Sequence, residues 1–298
     1  MTERTAQQQT TSEADCTTTA FSEKLGIPLR INGEGPYLVS VDTGAGLTVV
    51  VPEVAEELEL EKVGEEERHG AGGRVTFDLV GIDALVAGSV EAKLDSIGVG
   101  SFVKTLCGPG FQGNMGYDVL QHGRLTADFS GEVMVFVPSD DTPIEGIPFE
   151  IAGKKQPLVV VETEVNGTGP YRFAVDTGAL STCIAPRLAN EIGVERGESV
   201  QAAGVGGTLD AYFAAAPLEF TLGGRYRGEA APVVLDIFGA RSDGKCVDLS
   251  GIIGQDIMRE HIVTFDYPHR IMRFVANEPQ GGRHGPLGGR GARVVSAS

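Results

Sequence analysis

Short apolar runs alternate with polar turn residues along this chain, and the whole pattern occurs twice. The stretches Ile27 to Ile31 and Leu158 to Val165 each run into Asn-Gly, the strongest short-range hairpin signal. A second apolar stretch follows in each case, Tyr37 to Val41 and Tyr171 to Val175, and ends at Asp-Thr-Gly. Runs rich in β-branched residues come next (Thr48 to Val51; Thr182 to Ala185). Proline then opens a short helix, predicted over Pro52 to Leu60 and Pro186 to Ile192, because proline suits a first helical position. Further strands flank Gly72-Gly73 and Gly206-Gly207. Each copy closes with a short helix, near Asp118 to Gln121 or Asp256 to Glu260, and a hairpin turning at Ser130-Gly131 or Pro268-His269. Short strands at regular spacing with glycine turns predict an all-β fold: two tandem β-barrel lobes, each with one or two short helices.

The duplication is explicit. Asn32-Gly33-Glu34-Gly35-Pro36-Tyr37 returns 134 residues later as Asn166-Gly167-Thr168-Gly169-Pro170-Tyr171. The same offset carries Asp42-Thr43-Gly44-Ala45 onto Asp176-Thr177-Gly178-Ala179, Pro52 onto Pro186, and Gly70-Ala71-Gly72-Gly73 onto Gly204-Val205-Gly206-Gly207. Beyond that the offset is 138: Gly113-Asn114-Met115-Gly116 meets Gly251-Ile252-Ile253-Gly254, and Leu125 to Phe129 meets Val263 to Tyr267. Four extra residues therefore fall in a loop of the second half. The repeat predicts a lobe over residues 21–137, a linker over 138–148 and a second lobe over 149–277. Residues 1–20 and 278–298, polar or Gly/Arg-rich, read as disordered ends.

Composition narrows the function. The 298 residues are 41% hydrophobic, enough for a sizeable core, and 42 of them are glycine, which favours tight turns. A formal charge of −17 argues against nucleic-acid or anionic-membrane partners. Cys16, Cys107, Cys183 and Cys246 form no C-x-x-C pair, and no histidine spacing suits a metal, so neither a metal nor a cofactor is expected. Cys183 reads as a buried thiol; Cys107 and Cys246 lie at similar places in the two halves, which establishes no pairing. The first 20 residues lack the apolar core of a signal peptide and no segment is long enough to span a membrane, so a soluble, cytoplasmic protein is expected.

A lone Asp-Thr-Gly is an ordinary turn. Two copies, each after an apolar strand and before a small residue (Ala45, Ala179), invite a chemical reading. Two carboxylates about 3 Å apart cannot both ionise and share one proton, so one can act as base toward water while the other acts as acid toward a carbonyl. Gly44 and Gly178 allow the close approach, and the Thr43 and Thr177 hydroxyls can hydrogen-bond across the junction.

These residues resemble the aspartic peptidases, specifically the retropepsin-like group with Asp-Thr-Gly-Ala, over nearly all of residues 21–277. The resemblance implies catalytic Asp42 and Asp176, two lobes related by a pseudo-twofold axis, and an extended peptide substrate bound between them. It also implies flap tips at Gly70, Ala71, Gly72 and Gly73 and at Gly204, Val205, Gly206 and Gly207, where plain hairpin turns are the alternative. Members with one copy form homodimers, so this chain is expected to be a monomer that works as a fused pseudo-dimer. Ile252-Ile253-Gly254 fits the apolar-apolar-Gly segment that packs behind each turn in the family, whereas Asn114-Met115-Gly116 departs from it. The competing readings are a non-catalytic peptide-binding protein that keeps the fold, an assembly pairing like aspartates between chains, and a metal-dependent hydrolase. Because Ala45 and Ala179 cannot donate to the carboxylates as serine or threonine would, the activity maximum, measured as a pH–rate profile, is expected well above about pH 2.

Overall fold

The computed structural model describes residues 26–236, 248–277 and the backbone of 295–297. Both Asn-Gly turns form two-residue hairpins. Asn32 and Gly33 have φ of 51° and 86°, and Asn166 and Gly167 have 49° and 73°, the left-handed pair that matches strand twist. With so short a turn the return strands begin at once, as Glu34–Val41 and Thr168–Val175, earlier than the apolar pattern alone predicts. Each Asn side chain also caps a neighbouring strand: Asn32 Oδ1 accepts from the N–H groups of Asp83 and Ala84, and Asn166 Oδ1 from Glu219.

The two proline-led helices span Pro52–Glu57 and Pro186–Glu191, shorter than predicted, for a local reason. Glu59 (φ 50°) and Gly193 (φ 71°) turn left-handed. Leu60 N–H then reaches back to Ala55 O (3.0 Å), and Val194 N–H to Ala189 O (2.8 Å), closing each helix with its end carbonyls satisfied. The closing helices are Tyr117–Leu120 and Gln255–Met258, and Phe102–Leu106 adds a helix that the sequence pattern did not reveal.

Among the described residues the strands form sheets of nine, five and eleven. The nine-stranded sheet curls into the first lobe and the eleven-stranded sheet into the second, giving the expected pair of half-barrels. Strand register resolves the insertion in the second half. Leu29 pairs with Ala87 while its counterpart Thr163 pairs with Leu222, so one extra residue lies before the strand Leu218–Leu222. The other three fall between Val233–Val234 and Gly251–Ile253.

The five-stranded sheet is shared. Arg124–Asp128 of the first lobe pairs antiparallel with His261–Asp266 of the second, and Thr126 lies directly opposite its own counterpart, Thr264, with hydroxyls 3.2 Å apart. Equivalent residues meeting each other is the signature of a twofold axis. Leu125, Ala127, Val263 and Phe265 are fully buried here, and one apolar cluster runs from this sheet into both lobes. Ile147–Pro148, at the end of the inter-lobe segment, adds an edge strand against Met272 and Ile271.

Of the Gly/Arg-rich tail, Val295–Ala297 lies as a parallel strand along Ala202–Gly204, where an edge strand offers unpaired backbone groups. The other tail positions, residues 1–25, Cys16 and Cys246 lie outside the described residues. Cys107 and Cys183 are both buried. No helix among the described residues is long and apolar enough to cross a membrane. Since the core and the central sheet belong to both lobes, Phe265→Ala should cost about 3–5 kcal/mol. In a denaturant titration it should lower the midpoint of a single transition rather than split it in two.

Candidate active site

Each Asp-Thr-Gly turn leaves the end of a buried strand at the lobe junction. Asp42 N–H donates to Met115 O and Asp176 N–H to Ile253 O, both at 3.0 Å, so the segment behind each turn fixes where its aspartate begins. That segment is held in turn by a parallel pairing, Val39–Val41 with Gly113–Met115 and Phe173–Val175 with Gly251–Ile253.

The turns are locked together across the axis. Thr43 donates its hydroxyl to Val175 O (2.7 Å) and accepts the N–H of Thr177 (3.0 Å). Thr177 reciprocates with Val41 O (2.8 Å) and the N–H of Thr43 (3.1 Å). All four bonds are buried.

The lock brings the carboxylates to one place. Gly44 N–H donates to Asp42 Oδ1 (2.9 Å), and Gly178 N–H to Asp176 Oδ1 (2.7 Å). A Cβ on Gly44 would lie 2.4 Å from Asp176 Oδ2, so both carboxylates crowd onto this glycine and only glycine fits. Asp42 is 6% exposed and Asp176 2%. Buried carboxylates converging in this way can act together on one small molecule lodged between them. Gln156, from the segment entering the second lobe, steadies the turn by donating to Gly44 O (2.9 Å).

Above the aspartates, the hairpins Lys62–Gly81 and Arg196–Ala214 meet tip to tip at the positions predicted for flaps. Gly72 N–H donates to Val205 O (2.9 Å), and a Cβ on Gly72 would come within 2.1 Å of Gly207 N. Below the first tip lies a pocket with Asp42 and Asn114 at its base. Leu47, Val49, Val75, Phe77 and Phe102 form its apolar wall, Arg68, His69 and Gln156 its polar edge, and Val205 reaches in from the other lobe. The counterparts of Arg68 and Phe77 are Ala202 and Ala211, so the two lobes do not present the same wall.

Sequence reasoning missed several supporting residues. Thr48 hydrogen-bonds the Asp118 carboxylate through its N–H (2.8 Å) and hydroxyl (2.5 Å), and accepts Gly116 N–H (3.0 Å). Thr182, Asp256 and Gly254 repeat the arrangement in the second lobe. Burial raises the pKa of both Asp118 and Asp256, opposed by these threonine bonds. The two repeat offsets link Thr48 to Thr182 and Asp118 to Asp256, and that was the available signal. Gln255 donates to Thr177 O (2.6 Å); its counterpart is Tyr117, so this prop exists on one side. Tyr267, packed edge-on against Tyr117, is buried beneath the junction and its hydroxyl finds no partner among the described residues. Burial holds that phenol well above its usual pKa, with Tyr117, Asp42 and Asp176 adding to the shift.

Asn114, which departs from the family pattern, is 3% exposed and pairs with Ser40 and Val49 on the two strands that flank its own.

The profile of the aspartyl protease family matches residues 27–119 and 161–257, together more than half of the chain. The chain belongs to the aspartyl protease family. The profile fits twice, once per lobe, so this aspartyl protease homologue is a tandem of two family units. No curated protein sequence matches it.

Because the threonine lock is reciprocal, Thr43→Val and Thr177→Val should have similar effects. Each leaves a buried N–H and a buried carbonyl without a partner, at about 1–3 kcal/mol per group. Both should lower the stability measured by denaturant unfolding by about 2 kcal/mol or more.

Proposed function

We propose that the chain is an aspartic endopeptidase in which Asp42 and Asp176 act as a dyad on a water molecule. The convergence of two buried carboxylates on Gly44, inside the reciprocal threonine bonds, carries this reading. Membership of the family supports hydrolase chemistry.

The dyad holds one proton. Its ionised member takes a proton from water as the water oxygen attacks the peptide carbonyl, and its protonated member gives its proton to the carbonyl oxygen. A tetrahedral diol results. Protonation of the amide nitrogen then lets the C–N bond break, and one diol hydroxyl returns a proton to the dyad. The reaction needs no group outside the chain other than water.

The substrate is a peptide in extended form, running beneath the flap tips and paired to their strands, with alternate side chains entering pockets. The apolar wall of Leu47, Val75, Phe77 and Phe102 suits an apolar side chain next to the bond attacked. For a peptide to enter, the Gly72–Val205 contact must open, so the tips work as gates. The active species is the monomer, since the lock joins both turns within one chain and a pairing of like aspartates between chains would have to break it.

A non-catalytic peptide-binding protein that keeps the fold is the competing reading, and the backbone bond from Asp42 N–H to Met115 O, kept beside Asn114, speaks for the enzyme. Asp42→Asn and Asp176→Asn should each reduce cleavage of a mixed peptide library by about 10²–10⁴-fold or more while leaving the thermal midpoint near that of the parent. Retained cleavage in either variant would overturn the proposal.

A further inference from the structure

The two hairpins that meet above the aspartates have unlike undersides. Residues paired across a hairpin share a face. In the first hairpin Glu66 pairs with Phe77 and Arg68 with Val75, and Arg68, Val75 and Phe77 all line the pocket over Asp42. In the second hairpin Val200 pairs with Ala211 and Ala202 with Leu209. Those four residues belong to, or pack against, one apolar cluster. An ion pair therefore stands on a face that is wholly apolar in the other lobe.

Arg68 is only partly engaged there. Its Nη2 lies 3.1 Å from Glu66 Oε1, with the two side chains 18% and 30% exposed. Its Nη1 reaches over the segment after the first Asp-Thr-Gly, where a Cβ on Gly46 would come within 3.1 Å of it. Its Nε is buried and finds no partner among the described residues. A buried donor without an acceptor is costly, and a ligand that brings one removes the cost. Arg68 rides on the hairpin that must lift to admit a peptide, so Nε is enclosed while the tips are shut and can be reached as they open.

We infer that Arg68 selects the substrate side chain that enters this pocket, and that the side chain it selects is glutamine. The methylenes of glutamine lie along Phe77 and Phe102, and its amide oxygen accepts from the Arg68 guanidinium. The inference rests on the proposed peptidase and refines its apolar pocket: the wall takes the stem of the side chain and Arg68 takes the tip. Arg68 is a specificity residue and has no part in the proton transfers.

An arginine invites an anion, but its surroundings favour a neutral acceptor. Glu66 already neutralises Arg68, and Asp42 stands at the base of the same pocket. Asp118 is also close: burial raises its pKa, and the Arg68 charge is among the influences opposing that rise. A carboxylate tip would meet these like charges. An ammonium tip carries donors only and cannot satisfy Nε. An apolar tip would shut the donor in without a partner, and a site with a buried donor rejects such a ligand. A primary amide brings an acceptor without a charge, and its own N–H groups can face the polar edge at His69.

The test uses short alanine–leucine peptides whose cleaved bond is located by mass spectrometry of the products. At each of the two positions beside that bond in turn, the peptides carry glutamine, glutamate, lysine or norleucine, the last an apolar chain of similar length. At one of these positions the parent should cleave the glutamine peptide with a kcat/KM at least about tenfold above the other three. Glu66→Val/Arg68→Ala gives the first hairpin the underside of the second, and should lower the glutamine-to-norleucine ratio by about tenfold or more. Arg68→Met, which keeps an unbranched stem, should act in the same direction and serves if the double variant fails to fold. A parent that prefers glutamate, lysine or norleucine at both positions, or a ratio unmoved in the variants, would overturn the inference and leave Arg68 a structural partner of Glu66. Failure of the peptidase reading is separate: it would appear as cleavage that survives Asp42→Asn or Asp176→Asn. The same peptides, competing for binding to the Asp42→Asn chain, give the ratio as dissociation constants and decide the role of Arg68 without cleavage.

Discussion

Everything at the junction depends on four hydrogen bonds made by two threonine hydroxyls. Each hydroxyl donates to the carbonyl just before the opposite aspartate turn and accepts an amide from the opposite threonine. Buried backbone groups must find partners, and these four find them across the axis. The lobes therefore cannot slide or rotate without stranding polar groups in a buried interface. That rigidity lets Gly44 lie against Asp176, a contact with no room for a methyl group. The shared sheet below repeats the theme, with Thr126 against Thr264. The hairpin tips meet above, glycine against glycine.

Much of this was legible in the sequence because it depends on local chemistry repeated at a fixed distance. Asn-Gly turns, prolines at helix starts and the Asp-Thr-Gly motifs carry their conformations with them, and the repeat showed which positions were equivalent. Helix ends were less legible. Gly193 advertises a left-handed residue, but Glu59 does the same work in the first lobe without any compositional hint. The Thr48–Asp118 and Thr182–Asp256 props were hidden because each joins residues far apart in the chain.

Asn114 is the clearest case of a position that sequence could not interpret. Judged against its counterpart Ile252, a polar residue in an apolar segment suggests a flaw in packing. Its meaning depends on Ser40, brought alongside by parallel pairing across more than seventy residues. A buried amide with both ends engaged is at ease in a core, whereas one without partners would not be. The missing information was the register of two strands.

The joining of two lobes into one chain has a consequence for how such a molecule can change. In an assembly of identical subunits a single gene writes both sides of the axis, so every substitution is made in duplicate and an improvement on one side is imposed on the other. Here each side is inherited separately. The symmetric parts, the threonine lock and the aspartate turns, match because each needs its mirror image. Away from them the halves differ in character, with arginine and phenylalanine in one where the other has two alanines, and tyrosine where the other has glutamine. Two lobes written in one chain are two surfaces free to specialise.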